Sequence, residues 1–411
     1  MQPISRTTRT GTIEGEADPR FAAVVDAFAE NFDSRDEVGA SCAITLDGEP
    51  VVDLWGGKTT RDGAAWQRDT VSIVFSCTKG AQALTAHMAA DRGLLDLDAL
   101  VAKYWPEFAT NGKEEARVSM MLDHSVGLPH PKDLLPPGSV YDYDYMCDVM
   151  AKHAPFWKPG TRNGYHGLSC AWTVAPLVHR TTGKRMGQFF QDEVAKPLGI
   201  DFWIGTPEAI EPRIAPIIPT LPDPALPPSR LVAAALADRQ SPPALFLFNG
   251  GGFNPNSREA HAAEIGSGNG ISNARGLAGL YAPLANGGAL NGRRYVGAET
   301  LTRMSRVSVA THEDATLMIP TRFSLGYMKS MDNRALDNAE NCSVVMSEAA
   351  FGHVGAGGSL GFADPEAKLS FGYSMNRMGL GILLNDRGQS LVDAAYQSLG
   401  YRTNKGGAWT C

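Results

Sequence analysis

The sequence of 411 residues lacks the features that mark nucleic-acid-binding, membrane and secreted proteins. It contains no run of lysine and arginine, and its formal net charge of −7 favours no contact with a nucleic-acid backbone. No apolar stretch is long enough to span a membrane, and the N-terminus lacks the apolar segment of a secretory signal. We therefore expect a cytoplasmic protein with neither a nucleic-acid nor a membrane partner.

Disulfide and metal signatures are missing as well. The six cysteines are scattered and include no Cys-x-x-Cys pair, so reduced thiols are expected. The nine histidines include no His-x-x-x-His pair, and the chain therefore carries no recognisable zinc motif. We expect neither a metal nor a cofactor.

What is present is the composition of a folded globular protein, with 43% hydrophobic and 20% charged residues. A helix is predicted over residues 18–32, followed by a β-hairpin in which Asp47-Gly48 joins strands at 39–46 and 51–55. The other main elements are helices over 168–182, 186–196, 229–238, 273–285 and 391–399, and strands over 323–329, 349–363 and 369–375. Strands thus concentrate toward the two ends of the chain.

This order of elements predicts an α+β fold, with an antiparallel sheet flanked by helices and an inserted all-helical lobe. We assign residues 15–75 and 265–411 to an α/β domain formed from both chain ends, and residues 76–264 to the mostly helical lobe. Residues 130–164 and 205–260 are rich in proline and are predicted as irregular. The second of these stretches is expected to cover a site.

A serine and a lysine lie three positions apart at the start of a predicted helix. Ser76 and Lys79 would share one helix face, with Cβ atoms about 5–6 Å apart. A hydroxyl beside an amine can be a nucleophile beside its base. Alternatively, Ser76 caps the helix and Lys79 is a surface residue of its first turn.

A second candidate, Tyr165, ends a loop rich in proline and glycine just before an apolar helix. A free tyrosine has a pKa near 10, too high for a base at neutral pH. A neighbouring ammonium at Lys79 would favour the phenolate. The two groups would then titrate together, and the proton cannot be assigned to one residue from the sequence. The alternative is a loop tyrosine that packs its ring on the helix.

The third candidate is the glycine-rich run 352–361, in a strand-like context. Glycines there permit a ligand to approach a strand edge, and a free edge N–H can donate to an oxyanion. The alternative is a bulge or tight turn without a catalytic role.

Together, the three segments resemble the serine hydrolases of the β-lactamase fold, of the class C and penicillin-binding-protein type. More narrowly, they resemble the carboxylesterases on that fold, the family VIII type. The matching segments, in the family's order, are Ser76-Cys77-Thr78-Lys79, Tyr165-His166-Gly167 and His353-Val354-Gly355. The resemblance extends over residues 20–400.

The resemblance implies a site in a cleft between an α/β lobe and a helical lobe. Ser76 would be the nucleophile, and Lys79 and Tyr165 would serve as general base and then as acid. The oxyanion hole would be the backbone N–H groups of Ser76 and Ala356. Substrate contacts are expected from His353, Gly355 and His166.

Two departures from the family's lactamases point to esters. Those enzymes carry Asn at the position of Gly167, where it contacts the substrate amide, and Lys at the position of His353, where it helps hold the substrate carboxylate. A histidine is mostly neutral at pH 7. The resemblance therefore implies a carboxylesterase for short-chain acyl esters of small molecules, with weak β-lactamase activity as a side reaction.

Three alternatives remain at this point: an amide hydrolase of the β-lactamase or D-aminopeptidase type, an acyltransferase, and a non-catalytic binding protein on the same fold. A decoy is also present, because Gly357-Gly358-Ser359-Leu360-Gly361 matches the Gly-x-Ser-x-Gly elbow. That elbow requires a following helix and a later histidine, and here a strand is predicted and no histidine follows. Cys77 is expected to pack inward.

Overall fold

Strands from both ends of the chain form one seven-stranded antiparallel sheet in the computed structural model, which describes residues 1–221, 225, 227–337 and 341–411. The strands are β1 (Gln2–Thr8), β2 (Gly11–Ala17), β3 (Gly39–Leu46), β4 (Glu49–Gly57), β5 (Ser72–Ile73), β6 (Phe202–Trp203), β7 (Ile271–Ser272), β8 (Ala289–Leu290), β9 (Arg293–Arg294), β10 (Val309–Thr311), β11 (Thr321–Phe323), β12 (Phe351–Val354), β13 (Leu360–Asp364) and β14 (Leu369–Met375). The large sheet has the order β1-β2-β4-β3-β14-β13-β12, and a small sheet has the order β5-β7-β6.

The α-helices are concentrated between β5 and β7 and flank the sheet elsewhere. They are α1 (Ala22–Ser34), α2 (Thr78–Asp91), α3 (Val118–Leu122), α4 (Tyr143–Lys152), α5 (Cys170–Thr182), α6 (Met186–Phe190), α7 (Lys196–Leu198), α8 (Arg230–Ala237), α9 (Pro242–Phe248), α10 (Arg258–Ala262), α11 (Ala274–Ala285), α12 (Ala298–Ser305) and α13 (Asp386–Ser398). Short 3-10 helices include Pro19–Phe21, Phe75–Cys77, Val101–Lys103, Pro106–Phe108, Ser139–Tyr141 and Glu208–Arg213, and a π-helical turn, Gln191–Ala195, joins α6 to α7. None of the described helices is both long and apolar enough to span a membrane.

The predicted hairpin of β3 and β4 is confirmed, and its turn has a local cause. Asp47 and Gly48 both have positive φ, +52° and +84°, as a tight two-residue turn between twisted strands requires. The predicted first helix is also confirmed, although it begins with a 3-10 turn. Asp18 caps that turn by accepting a hydrogen bond from the N–H of Arg20 at 2.9 Å.

The two largest apolar cores are formed by different elements. One is formed by the large sheet with α1 and α13, and the other is formed mainly by the helices that follow Ser76. Helix α11 packs on β3, β13 and β14, while Leu277 and Leu280 belong to the helical core. The predicted α+β architecture, an antiparallel sheet flanked by helices with an inserted helical part, is confirmed.

Several predicted elements differ from the structure. The single strand predicted over 349–363 is two strands, β12 and β13, because the chain turns at Gly355, whose N–H donates to Ser359 O at 2.7 Å. The strand predicted over 323–329 ends at Phe323, before a bend at Gly326, where φ is +94°. Residues 1–17, for which no element was predicted, form the sheet-edge hairpin of β1 and β2.

Two stretches predicted as irregular contain helices. Helix α4 lies within residues 130–164, and Asp142 caps it by accepting the Tyr145 N–H at 3.0 Å. The stretch 205–260 holds not only the predicted helix, observed as α8, but also α9 and α10. Prolines start such helices readily, since the first helical N–H needs no partner. Positions 222–224 and 226 of this stretch, with the prolines at 222 and 224, lie outside the described residues.

Candidate active site

Ser76 lies in a 3-10 turn between β5 and α2, and the turn is anchored on both sides. Phe75 has a φ of +44°, a left-handed value that redirects the chain as it leaves the β5 region. The Val74 N–H donates to Gly270 O, and the Gly270 N–H donates to Thr78 Oγ1, both at 2.8 Å. Ser76 is half-buried, whereas the residues that follow it are buried. Its hydroxyl is therefore held in place and accessible.

Lys79 is 2% exposed and points at Ser76. Its Nζ lies 3.3 Å from Ser76 Oγ and donates to the carbonyls of Gly167 and Ser267, both at 2.9 Å. Burial lowers the pKa of Lys79 to about 8, because removal from water disfavours the ammonium. A neutral amine has two N–H groups, which the two carbonyls accept, and one lone pair, which is left for the Ser76 proton. This geometry suits a general base.

Tyr165 lies across Lys79 and Ser76. Its ring centroid is 4.9 Å from Lys79 Nζ, and its phenol is within hydrogen-bonding reach of the Ser76 hydroxyl. Burial raises the pKa of Tyr165 well above its ordinary value and so disfavours the phenolate. The physical reason is that removal of the buried phenol from water disfavours its charged form. The phenol is placed to pass a proton on.

The Tyr165 backbone is fixed by a residue that the sequence did not reveal. Asp314 is fully buried, and both of its carboxylate oxygens accept the Tyr165 N–H, at 2.9 and 3.0 Å. The same carboxylate accepts the N–H groups of Thr316 and Leu317 at 2.8 and 2.9 Å. Only the bonds to Thr316 and Leu317 follow a local sequence pattern, in which an Asp side chain accepts hydrogen bonds from the N–H groups two and three residues later. The contact to Tyr165 spans 149 positions and has no local signature.

The turn after β12 is brought against the Ser76 turn. A Cβ on Gly355 would lie 2.3 Å from Val74 O, and the Cys77 Sγ–H donates to His353 O at 3.2 Å. Ala356, the next residue, is exposed. Among the described residues, no acceptor is paired with its N–H. Gly355 thus allows the two turns to approach closely, and the oxyanion role expected for the Ala356 N–H stays a prediction.

The two histidines expected to contact substrate are both buried and neutral. In His166, Nδ1 donates to Gly164 O at 2.8 Å and Nε2 accepts the Leu128 N–H at 3.1 Å, which uses both nitrogens. In His353, Nδ1 donates to Val354 O at 2.7 Å, while Nε2 is buried with no partner among the described residues. Burial lowers the pKa of each to about 3. His166 therefore braces the Tyr165 loop and offers no ring atom to a substrate.

Ser359 and Cys77, which could be mistaken for nucleophiles, and the supporting residue His124 are all buried. Ser359 is fully buried, which removes it as a nucleophile, and burial raises the pKa of the inward-packed Cys77 thiol, as expected. His124 is buried with a φ of +67° and accepts the His166 N–H at Nδ1, 3.2 Å away. Cys42, Cys77, Cys147, Cys170 and Cys411 are free thiols. In the described part of the chain, no group of His, Cys, Asp and Glu forms a metal-binding cluster.

The chain is similar over most of its length to proteins of one family. The Beta-lactamase family profile matches residues 21–394. An esterase/beta-lactamase, LipL, of Mycobacterium tuberculosis is 36% identical over 384 residues, which is 90% of this chain and 85% of that protein. Among solved structures, a family VIII carboxylesterase is 37% identical with a TM-score of 0.81, covering 94% of this chain and 99% of its own. A penicillin-binding protein homolog from Caulobacter crescentus is 32% identical with a TM-score of 0.84, with the same coverage.

The fold and these relatives define the chain as a hydrolase of the β-lactamase fold. It belongs to the Beta-lactamase family, and its relatives at this level of identity include esterases.

Proposed function

We propose that this protein is a serine carboxylesterase that hydrolyses short-chain acyl esters through an acyl-enzyme on Ser76. The observation that carries the proposal is the position of Lys79, whose Nζ lies 3.3 Å from Ser76 Oγ while its N–H groups are taken by two carbonyls. A buried amine with a lowered pKa, beside an accessible hydroxyl, is the arrangement of an activated nucleophile.

In the acylation step, neutral Lys79 takes the Ser76 proton as Oγ attacks the ester carbonyl carbon. The carbonyl oxygen becomes an oxyanion, and the N–H groups of Ser76 and Ala356 stabilise it. Lys79 is then an ammonium under the face of the Tyr165 ring, a position that stabilises a cation. The Tyr165 phenol transfers a proton to the leaving alkoxide and is restored by Lys79. The alcohol departs, and the acyl group remains on Ser76.

Deacylation reverses these roles. A water molecule attacks the acyl carbon while Lys79, neutral again, receives its proton directly or through Tyr165. The oxyanion forms in the same pair of N–H groups. Collapse of the intermediate expels Ser76 Oγ, which regains its proton, and the carboxylic acid leaves. Acyl transfer to another alcohol would use the same residues with that alcohol in place of water.

Esters suit the site better than β-lactams. Gly167 has no side chain to bind a substrate amide. His353 is neutral, because burial lowers its pKa to about 3, and it provides no fixed cation for a carboxylate. An alkoxide also leaves more readily than an amine. β-Lactam hydrolysis is thus proposed only as a weak side activity.

The test compares substrates on one enzyme preparation. We expect kcat/KM for p-nitrophenyl acetate or butyrate to exceed that for a chromogenic cephalosporin. If the cephalosporin is the better substrate, the protein is an amide hydrolase and not an esterase. A phosphonate should label Ser76 in the wild type and leave the Ser76→Ala variant unlabelled. Folded wild-type protein with no ester turnover and no label would be a binding protein.

A further inference from the structure

Gly167 packs directly against an aromatic ring from a distant helix. A Cβ at Gly167 would lie 2.7 Å from Cε2 and 2.8 Å from Cδ2 of Phe246, and it would meet no other described atom within 4 Å. The backbone of Gly167 is not in the left-handed region, so its conformation would accept any residue. The ring of Phe246 is therefore what restricts this position to glycine.

The same ring lies beside the reacting groups. The Phe246 ring packs edge-on against the Tyr165 ring, with centroids 6.2 Å apart. Gly167, the residue beside this ring, accepts at its carbonyl the hydrogen bond from Lys79 Nζ at 2.9 Å. Phe246 is half-buried and therefore presents part of its surface to solvent. An apolar wall thus stands next to Tyr165 and Gly167.

Helix α9, which carries Phe246, is held firmly. Ser241 caps its start by accepting the Ala244 N–H. At its end Asn249, 4% exposed, accepts the Leu135 N–H at 2.8 Å and donates to Asp133 O at 2.9 Å. The Asn249 hydrogen bonds tie the end of this helix to the segment of Asp133 and Leu135 and so limit the movement of Phe246.

We propose that Phe246 is the specificity-determining wall of the acyl-binding side, where it accepts short, straight acyl chains and excludes long ones; this rests on the proposed esterase function. The acyl portion stays bonded to Ser76 after the alcohol has left, so a wall on the acyl side contacts it in both half-reactions. An aromatic face gives no hydrogen bond to a polar acyl group. The site therefore takes esters of short, unsubstituted carboxylic acids.

The first test is Phe246→Ala, with Phe246→Leu as a milder second variant. Kinetics are measured with p-nitrophenyl acetate, butyrate, hexanoate and octanoate. We expect the ratio of kcat/KM for octanoate to that for acetate to rise about tenfold or more, because even one methylene in an apolar pocket changes selectivity by that order. The matched control is Phe248→Ala on the same helix, whose side chain is exposed and should leave the ratio unchanged.

A double substitution tests the contact itself. Gly167→Ala places a methyl group against the ring and should lower kcat/KM for acetate about tenfold or more, as misplacing a catalytic neighbour does. Adding Phe246→Ala should restore most of that loss. No restoration would mean that the ring does not set this position.

The outcomes distinguish a failure of this inference from a failure of the proposed esterase function. If wild type hydrolyses the esters and takes the phosphonate label, but Phe246→Ala and Phe246→Leu leave the chain-length ratio unchanged, Phe246 is not the acyl wall. A change confined to a series of acetate esters with different alcohols would equally overturn the assignment. If the wild type shows neither turnover nor label, the proposed function itself is wrong.

Discussion

Two buried lysines in this molecule are alike in burial, in their backbone acceptors and in lying over an aromatic ring, but they differ in the hydroxyl groups beside them. Lys79 and Lys113 are both almost fully buried, and burial lowers the pKa of each to about 8. Each donates to two backbone carbonyls, and those of Lys113 belong to Thr110, at 2.9 Å, and His153. Each also lies over an aromatic ring, at 4.9 Å for Lys79 and 5.0 Å for Lys113.

The difference lies in the hydroxyl groups. Lys79 lies 3.3 Å from Ser76 Oγ and over a tyrosine ring. Lys113 lies over the phenylalanine ring of Phe108, and no serine contacts its Nζ among the described residues. A lowered lysine pKa therefore does not identify a catalytic base. The serine hydroxyl within reach and the neighbouring phenol are what distinguish Lys79, the proposed base, from Lys113.

Removing each amine in turn is the strongest test of this contrast. Lys79→Met should lower kcat for ester hydrolysis by about 10²–10⁴-fold, the range for loss of a general base. Lys113→Met should leave kcat within about twofold, since it touches no reacting group, while lowering Tm because two buried carbonyls lose a partner. Steady-state kinetics and thermal unfolding of both variants check this. Equal kinetic losses would contradict the contrast.

Tyr165→Phe makes the ring over Lys79 resemble the ring over Lys113. The substitution keeps the aromatic face and removes only the phenol that relays the proton. We expect kcat to fall about 10²–10³-fold, with a smaller change in KM. The measurement is kcat and KM on p-nitrophenyl butyrate. Unchanged kcat would show that Lys79 serves the leaving group without Tyr165.

Asp314→Asn tests whether the position of Tyr165 relative to Lys79 depends on the Asp314 carboxylate. An amide nitrogen in place of one carboxylate oxygen weakens acceptance of the Tyr165 N–H. We predict a loss of about tenfold in kcat, with KM little changed, because a small misplacement of an acid/base group is costly. The rate of Ser76 phosphonylation should fall in parallel. A fall in Tm with normal kcat would make Asp314 purely structural.

The smallest expected effect concerns the other serine. Ser359 is fully buried, and its hydroxyl has no partner among the described residues. Ser359→Ala should keep ester hydrolysis within about twofold and should not reduce Tm, because removing a buried unpaired hydroxyl leaves no other group unsatisfied. Complete loss of turnover would indicate that Ser76 is not the nucleophile. The comparison of the two lysines would then have no catalytic basis.

The sequence predicted those parts of the site whose signal is local. Ser76 and Lys79 are three residues apart, and one helical turn brings them together. The hairpin at Asp47-Gly48 was equally readable. The segments with Tyr165 and His353 could be placed beside them only through the resemblance to a known family.

Other features depended on contacts between distant parts of the chain. Asp314 reaches Tyr165 across 149 positions, and Phe246 meets Gly167 from a helix in a proline-rich stretch that was predicted to be irregular. The protonation of Tyr165 could not be predicted from the sequence, because the burial that raises its pKa cannot be read from neighbouring residues. His166 was expected at the substrate, but its ring is consumed by two backbone groups.

The central claim is that neutral Lys79 activates Ser76, and the pH dependence of Ser76 phosphonylation tests it most directly. The folded-state pKa of Lys79 is lowered to about 8, so the reactive neutral amine grows as pH rises and dominates above that value. The wild-type and Lys113→Met proteins should both show a labelling rate that climbs with pH and levels off above an apparent pKa of about 8. Lys79→Met should label slowly and lack this step. A wild-type rate that does not change between about pH 6 and 10, or an unchanged step in Lys79→Met, would contradict the account.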